Sequence, residues 1–206
     1  MALVSEVIRS ARYDLGDMGQ KFDDDQLVNY LNRIMQLLDR LLIARGSDFT
    51  LDSTTDTLSS GSNTITEPTL STKMIQLYYG TIRIYKEYFN DVSYRYQINS
   101  ENSSTGSPSY WAHKGSDIFF NIDADDDYTI TLYYHQRTAT LTMSSDMPYS
   151  DFFNEYLREA LIIMASKAKD DKIVNVDMQF HEMFKQIVNS TVIGRNHVPK
   201  YYNLGF

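Results

Sequence analysis

Ile118-Phe119-Phe120-Asn121-Ile122 and Tyr128-Thr129-Ile130-Thr131-Leu132-Tyr133-Tyr134 are two β-branched and aromatic runs flanking an aspartate-rich stretch. Each has the length and composition of a strand, and the short acidic link between them predicts a hairpin or two adjacent strands. Upstream, residues 75–79 and 81–85 repeat the same texture. From residue 49 to about 146, Ser, Thr, Gly and Asn are frequent and helical periodicity is absent, with a polar loop by composition over residues 99–108. The middle of the chain therefore predicts a small β-rich layer.

Both flanks are helical in pattern. Val4, Val7, Ile8, Ala11 and Leu15 line one face of a helix that Gly16 should stop. Asp23, Asp24 and Asp25 then open a second helix, where carboxylates can cap free N–H groups and face the positive dipole end. Its apolar face is Leu27, Leu31, Ile34, Leu38, Leu41 and Leu42, and Gly46 should stop it. After Pro148, Phe153, Tyr156, Leu157, Ala160, Leu161, Met164 and Ala168 keep helical spacing, with Phe152 and Ile163 widening the face. So wide a face implies burial on more than one side. A fourth helix carries Val176, Phe180, Met183, Phe184, Ile187 and Val188 up to Gly194. The expected fold is α+β: a bundle of about four helices with an inserted small β-rich layer and an extended C-terminal tail. Its parts would be a helical hairpin (1–48), the β-rich insertion (49–147), helices completing the bundle (148–193) and a docking tail (194–206).

Composition excludes several kinds of chemistry. The chain of 206 residues has a net charge of −8, whereas phosphate recognition needs a clustered positive face. It has no cysteine, which removes disulfides, thiolate metal sites and thiol catalysis. No apolar run has the ~20 residues of a membrane span, and Glu6 and Arg9 interrupt the start too early for a secretory core. Asp123, Asp125 and Asp127 copy the first positions of a calcium loop, but Tyr128 stands where the turn glycine belongs and Tyr134 replaces the bidentate Glu. They read as an acidic turn. His113, His135, His181 and His197 have no metal-ligand spacing, and the sequons at Asn102 and Asn189 read as chance matches. With no phosphate loop and no nucleophile elbow, no catalytic, cofactor or metal residue is expected.

Two aromatic features remain. Tyr94, Tyr96, Tyr110, Trp111 and Tyr128 either stack on sugars, as in a sugar- or receptor-binding tail module, or pack within the β-layer or a subunit contact. The C-terminal stretch carries Arg195, Val198, Pro199, Tyr201, Tyr202, Leu204 and Phe206, which is more apolar surface than a solvated tail tolerates. It either folds back or docks on a partner, where aromatic anchors dominate the energy.

Several blocks, in order, resemble the head–tail connector (adaptor) proteins of tailed phages of podovirus type. Ala11-Arg12-Tyr13-Asp14-Leu15-Gly16-Asp17 is similar to that family's opening "ARxxLgD". Phe22, Asp24, Gln26-Leu27-Val28 and Tyr30-Leu31-Asn32 are similar to its "W.D.ELL.YLN", with Phe22 in place of Trp. Gly106-Ser107-Pro108-Ser109-Tyr110-Trp111-Ala112, then Gly115 to Phe120, resemble its "GxPxYY…G…I.L.P" block without the final proline. An acidic turn, the Tyr128–Tyr134 run and Ala139-Thr140-Leu141 follow, as in that family. The resemblance implies a structural virion protein, made in the host cytoplasm, at the head–tail junction. It implies a twelve-subunit ring under the portal protein, a downstream tail protein as second partner, and DNA crossing the lumen without specific binding. It also implies that residues 194–206 dock on the portal, that Tyr110, Trp111 and Tyr128 serve the β-layer and subunit contacts, and that no membrane or catalytic residue is involved.

Overall fold

The first two helices start where their local chemistry directs. The computed structural model describes residues 2–17, 21–96, 104–149, 151–169 and 176–193. Helix α1 (Val4–Leu15) opens with the Glu6 carboxylate accepting the Leu3 N–H at 3.0 Å and closes on Gly16, whose φ of 60° lies in the left-handed region that favours glycine. Helix α2 (Asp24–Ala44) is capped by Asp23, which accepts the Gln26 N–H at 2.6 Å. Strands β1 (Leu51–Leu58), β2 (Thr64–Thr66), β3 (Ser71–Tyr79) and β4 (Ile82–Lys86) follow, then helix α3 (Phe89–Tyr96). Next come β5 (Thr105–Gly106), β6 (Tyr110–Lys114), β7 (Asp117–Phe120), β8 (Asp123–Ala124) and β9 (Tyr128–Gln136). Helices α4 (Asp151–Lys169) and α5 (Val176–Ile193) complete the described elements.

The chain divides into two compact units, one holding α1, α2, α4 and α5, the other Thr50–Gln136. In the helical unit, α4 packs against both α1 and α2, and α5 against α2. Leu27, Leu31, Ile34, Leu38 and Leu42 of α2 meet Phe153, Leu157, Leu161 and Met164 of α4 in one buried cluster with Phe180, Phe184 and Val188 of α5. Full burial of such a side chain stabilises by roughly 1.5–3 kcal/mol. Where α1 gives way to α2, the Arg12 guanidinium donates to Asp17 at 2.9 Å and Asp24 at 2.7 Å.

Polar groups of α2 also hold the segment leading to α4. Asn32 Oδ1 accepts the Leu141 N–H at 2.7 Å, and its Nδ2 donates to the Leu141 carbonyl at 3.0 Å. One turn pair further along, Asp39 is 2% exposed and accepts from Thr138 N at 2.7 Å, Thr138 Oγ1 at 3.0 Å and the Tyr149 hydroxyl at 2.5 Å. Burial raises the Asp39 pKa, and the hydrogen bonds from Tyr149 and Thr138 partly oppose it.

The β unit overturns the expected architecture. The chain is not a helical bundle with a small β-layer but a mixed α/β protein with five α-helices and a seven-stranded sheet among the described residues. The strand order is β1-β9-β3-β4-β6-β7-β2, antiparallel except for the β4–β6 pair. Its two edge strands, β1 and β2, are consecutive in sequence and lie against each other, so the sheet curls into a nearly closed barrel. Leu58, Leu77, Ile84, Trp111, Ile118, Phe120, Ile130 and Leu132 fill its inner face. A separate pair, β5–β8, is parallel. The expected hairpin of residues 118–122 with 128–134 is corrected too: β7 lies between β6 and β2, whereas β9 lies between β1 and β3.

The physical reason is the composition of β1. Its Leu-Asp-Ser-Thr-Thr-Asp-Thr-Leu has no apolar alternation because every residue but Asp52 and Leu58 is exposed. That strand is held by its ladder with β9, from Leu51↔His135 to Leu58↔Tyr128, which no local pattern announces.

Tyr149→Phe removes a donor from a buried carboxylate and is expected to cost about 1–3 kcal/mol at neutral pH. The Asp39 pKa is raised on folding, so its contribution is most favourable below the unfolded carboxylate pKa of about 4 and is lost as pH rises through the folded value. Loss of the Tyr149 bond enlarges that shift. Urea unfolding should therefore show the variant's deficit shrinking at acid pH; an equal deficit at both pH values would contradict this account of Asp39.

Candidate functional site

The residues singled out in the sequence fall into separate places. Tyr110 and Trp111 are neighbours on β6, where Asn121 Oδ1 accepts both the Ser109 N–H (3.0 Å) and the Tyr110 N–H (2.9 Å) and so fixes the strand's start. Trp111 is 1% exposed and lies within the barrel core, its ring beneath the Lys86 ammonium at 5.0 Å. Tyr110 is half-buried and pairs with Tyr85, ring centroids 6.2 Å apart. Tyr128 opens β9 and packs edge-on against Tyr79 at 4.6 Å, apart from the other two. Tyr94 belongs to α3, as does Tyr96. Arg195, Val198, Pro199, Tyr201, Tyr202, Leu204 and Phe206 lie outside the described residues, as do Asn102 and His197.

The aspartate turn is occupied by local bonds. The Tyr128 hydroxyl donates to Asp125 at 2.5 Å, and this bond is the main cause that moves the tyrosine pKa up to about 12. Asp127 accepts the Ser60 N–H at 2.8 Å, and Asp126 accepts the Asp127 N–H at 2.8 Å. No group of three or more ligand-type side chains able to hold a metal occurs among the described residues. His113 pairs with Glu67 at 2.7 Å, His135 shares a buried bond with Thr50 at 2.8 Å, and His181 is exposed on α5. No helix among the described residues is long and apolar enough to cross a membrane.

Sequence reasoning missed an outward-facing aromatic stripe on the sheet. Across β9, β3, β4 and β6, on the face away from the barrel core, stand Tyr133, Tyr78, Arg83, Tyr85 and Tyr110. Tyr78 and Tyr133 contact edge-on at 5.8 Å, the Tyr78 hydroxyl donates to Gln76 at 2.8 Å, and Arg83 stacks on Tyr85 at 5.6 Å. Tyr85 is 55% exposed. Two register shifts on β3, at Ser71/Lys73 and Met74/Gln76, set its facing; after the second, Leu77 lies opposite Leu132 on the core side and Tyr78 faces outward. Nothing in the local sequence marks those shifts.

Residues 2–200 match the family described as SU10 adaptor protein, and the chain belongs to that family of phage head–tail adaptors. It is a structural, virion-associated class of protein that interacts with phage head or tail components. No curated protein matches the chain.

The shared blocks gain a physical meaning here. Arg12 and Asp17 of the opening motif form the corner between α1 and α2, Asn32 clasps Leu141, and Asn121 pins residues 109–110. Asn121→Ala leaves two partly buried amides without their acceptor and is expected to cost about 1–3 kcal/mol in thermal unfolding. Millimolar calcium or chelator should leave the melting temperature unchanged, since Tyr128 and Ser60 already engage the aspartates; a clear calcium-dependent rise would overturn the acidic-turn reading.

Proposed function

We propose that the protein is the ring-forming subunit, twelve copies in all, that joins the portal to the tail of a podovirus-type phage and lines the DNA exit channel. The observation that carries this is membership of the adaptor family over nearly the whole chain. In this reading the portal protein is one partner, a downstream tail protein the other, and the chain itself the third. The subunit is made in the host cytoplasm and enters the virion during assembly.

Residues 194–206 are the portal-docking segment. Tyr201, Tyr202, Leu204 and Phe206 supply aromatic and apolar anchors, and Arg195 and Lys200 supply charge. Ordering such a segment costs conformational entropy, which keeps each single contact modest; repetition round a ring restores avidity. A net charge of −8 on each subunit suits a conduit that must not hold its duplex, because like charge repels phosphate. Tyr110 serves the subunit contact, with Trp111 and Tyr128 supporting its strands from within the barrel.

The test is sedimentation of the purified chain alone and mixed with the portal protein of the same genome. A small species that joins the portal as a stoichiometric ring is expected; a chain that stays apart at every ratio would refute the portal-joining role. Deletion of residues 195–206 is expected to abolish portal binding while leaving the melting temperature unchanged, and undiminished binding would refute the docking role of that segment.

A further inference from the structure

The barrel treats the two halves of its outer face differently. Over β6 and β7, α3 covers the sheet: Phe89 meets Phe119 at 5.0 Å, Lys114 lies over the Phe89 ring at 4.5 Å, and Val92 is fully buried. Over β9, β3 and β4 the tyrosine stripe with Arg83 is left open, with Tyr85 and Tyr133 exposed. Its composition is that of interface anchors, since tyrosine and arginine are enriched where binding energy concentrates. Arg83 has no carboxylate partner among the described residues; its charge rests on the Tyr85 ring.

The complementary charge is carried by the same unit. Asp125, Asp126 and Asp127 are exposed, and none of them is in an ion pair among the described residues. Their turn bonds to Ser60 in the link between β1 and β2, the seam where the two ends of the strand order meet. Arg83 sits on β4, the middle strand of that order. In a sheet that curls back on itself, middle and seam lie on opposite sides. The stripe reaches round to Tyr133 on β9, the strand the turn enters, so the patches are distinct rather than diametric, and two distinct complementary patches are what a head-to-tail contact needs.

A free strand edge offers a different route to self-association, and β1 closes it. The Asp52 carboxylate accepts the N–H of Ser53 and the Asp56 carboxylate that of Thr57, each at 2.8 Å. Those aspartates occupy backbone donors that a neighbour's strand would otherwise use, a recognised defence of sheet edges. Contact through side chains is thereby favoured over ladder extension.

We propose that the stripe of Tyr133, Tyr78, Arg83, Tyr85 and Tyr110 is the lateral surface on which the next copy of the chain seats its Asp125–Asp127 turn. The proposal rests on the ring-forming reading and adds the identity of the contact. Arg83 pairs with the incoming carboxylates, and the tyrosines supply packing area with hydroxyls that tolerate a wet rim. Because the charges are rim-exposed, the contact weakens as salt screens them.

The test uses the full chain, with ring yield measured by native mass spectrometry with and without the portal protein, and with circular dichroism to confirm folding. Arg83→Glu, Tyr85→Ala and Asp126→Arg are each expected to cut ring yield by about tenfold. Combining Arg83→Glu with Asp126→Arg restores it, because the pair is re-formed with its signs exchanged. Wild-type yield from Arg83→Glu and Tyr85→Ala would overturn this contact while leaving the ring reading intact. Rings that form normally but no longer join the portal would overturn it too, assigning the stripe to that partner. Single losses without rescue by the double variant would reject the Asp125–Asp127 turn as the occupant. No ring from the wild type, alone or on the portal, would remove the ring reading and this contact together.

Discussion

The β unit depends on one pairing, that of its first strand with its last. Leu51 lies opposite His135 and Leu58 opposite Tyr128, so the chain enters and leaves the unit on neighbouring strands. Thr50 and His135 reinforce this point with a buried side-chain bond at 2.8 Å. An inserted unit whose two ends adjoin can be long without pulling apart the helices on either side of it in sequence. This allows α1 and α2, at the start of the chain, to share one core with α4 and α5, more than a hundred residues later. The entropic cost of closing so long a connection grows only slowly with its length.

Arg12, Asp17, Asp24 and Asn32 of the family-like blocks, together with Asn121, are structural fasteners. Arg12 links Asp17 and Asp24, Asn32 bonds both polar groups of Leu141, and Asn121 takes two amides at the head of β6. Each satisfies backbone or charge where the chain changes direction, and an unsatisfied buried group there would cost more than the bond supplies. Asp39 follows the same logic at higher stakes. Its burial is unfavourable by itself and is tolerated because three donors converge on it. An adaptor that contacts phage head or tail components has reason to hold its corners this way.

The distribution of polarity on the barrel supports the same view. Its edge strand is hydrophilic on both faces, and its aspartates occupy the amides that would recruit stray strands. Tyr85 and Tyr133 are exposed elsewhere, on strands whose inner faces are firmly packed by Ile84 and Leu132. Rigid aromatic groups on a rigid support lose little freedom when a partner covers them.

Much of the helical unit was legible in the sequence. Leu27, Leu31, Ile34 and Leu38 mark α2, and Phe180, Phe184 and Val188 mark α5, because a helix completes its hydrogen bonds within four residues and leaves only one face to be buried. The adaptor family was legible in the order of its motifs, and the lack of cysteine excluded thiol chemistry outright. The sheet was legible only in pieces: residues 75–79, 81–85, 118–122 and 128–134 read as strands, while β1, clothed in Ser, Thr and Asp, did not. Strand order, the near-closure of the barrel and the tyrosines that face outward were decided by tertiary structure alone. A strand bonds to whichever neighbour the fold brings beside it, and the register shifts at Ser71/Lys73 and Met74/Gln76 decide which side chains of β3 meet the core.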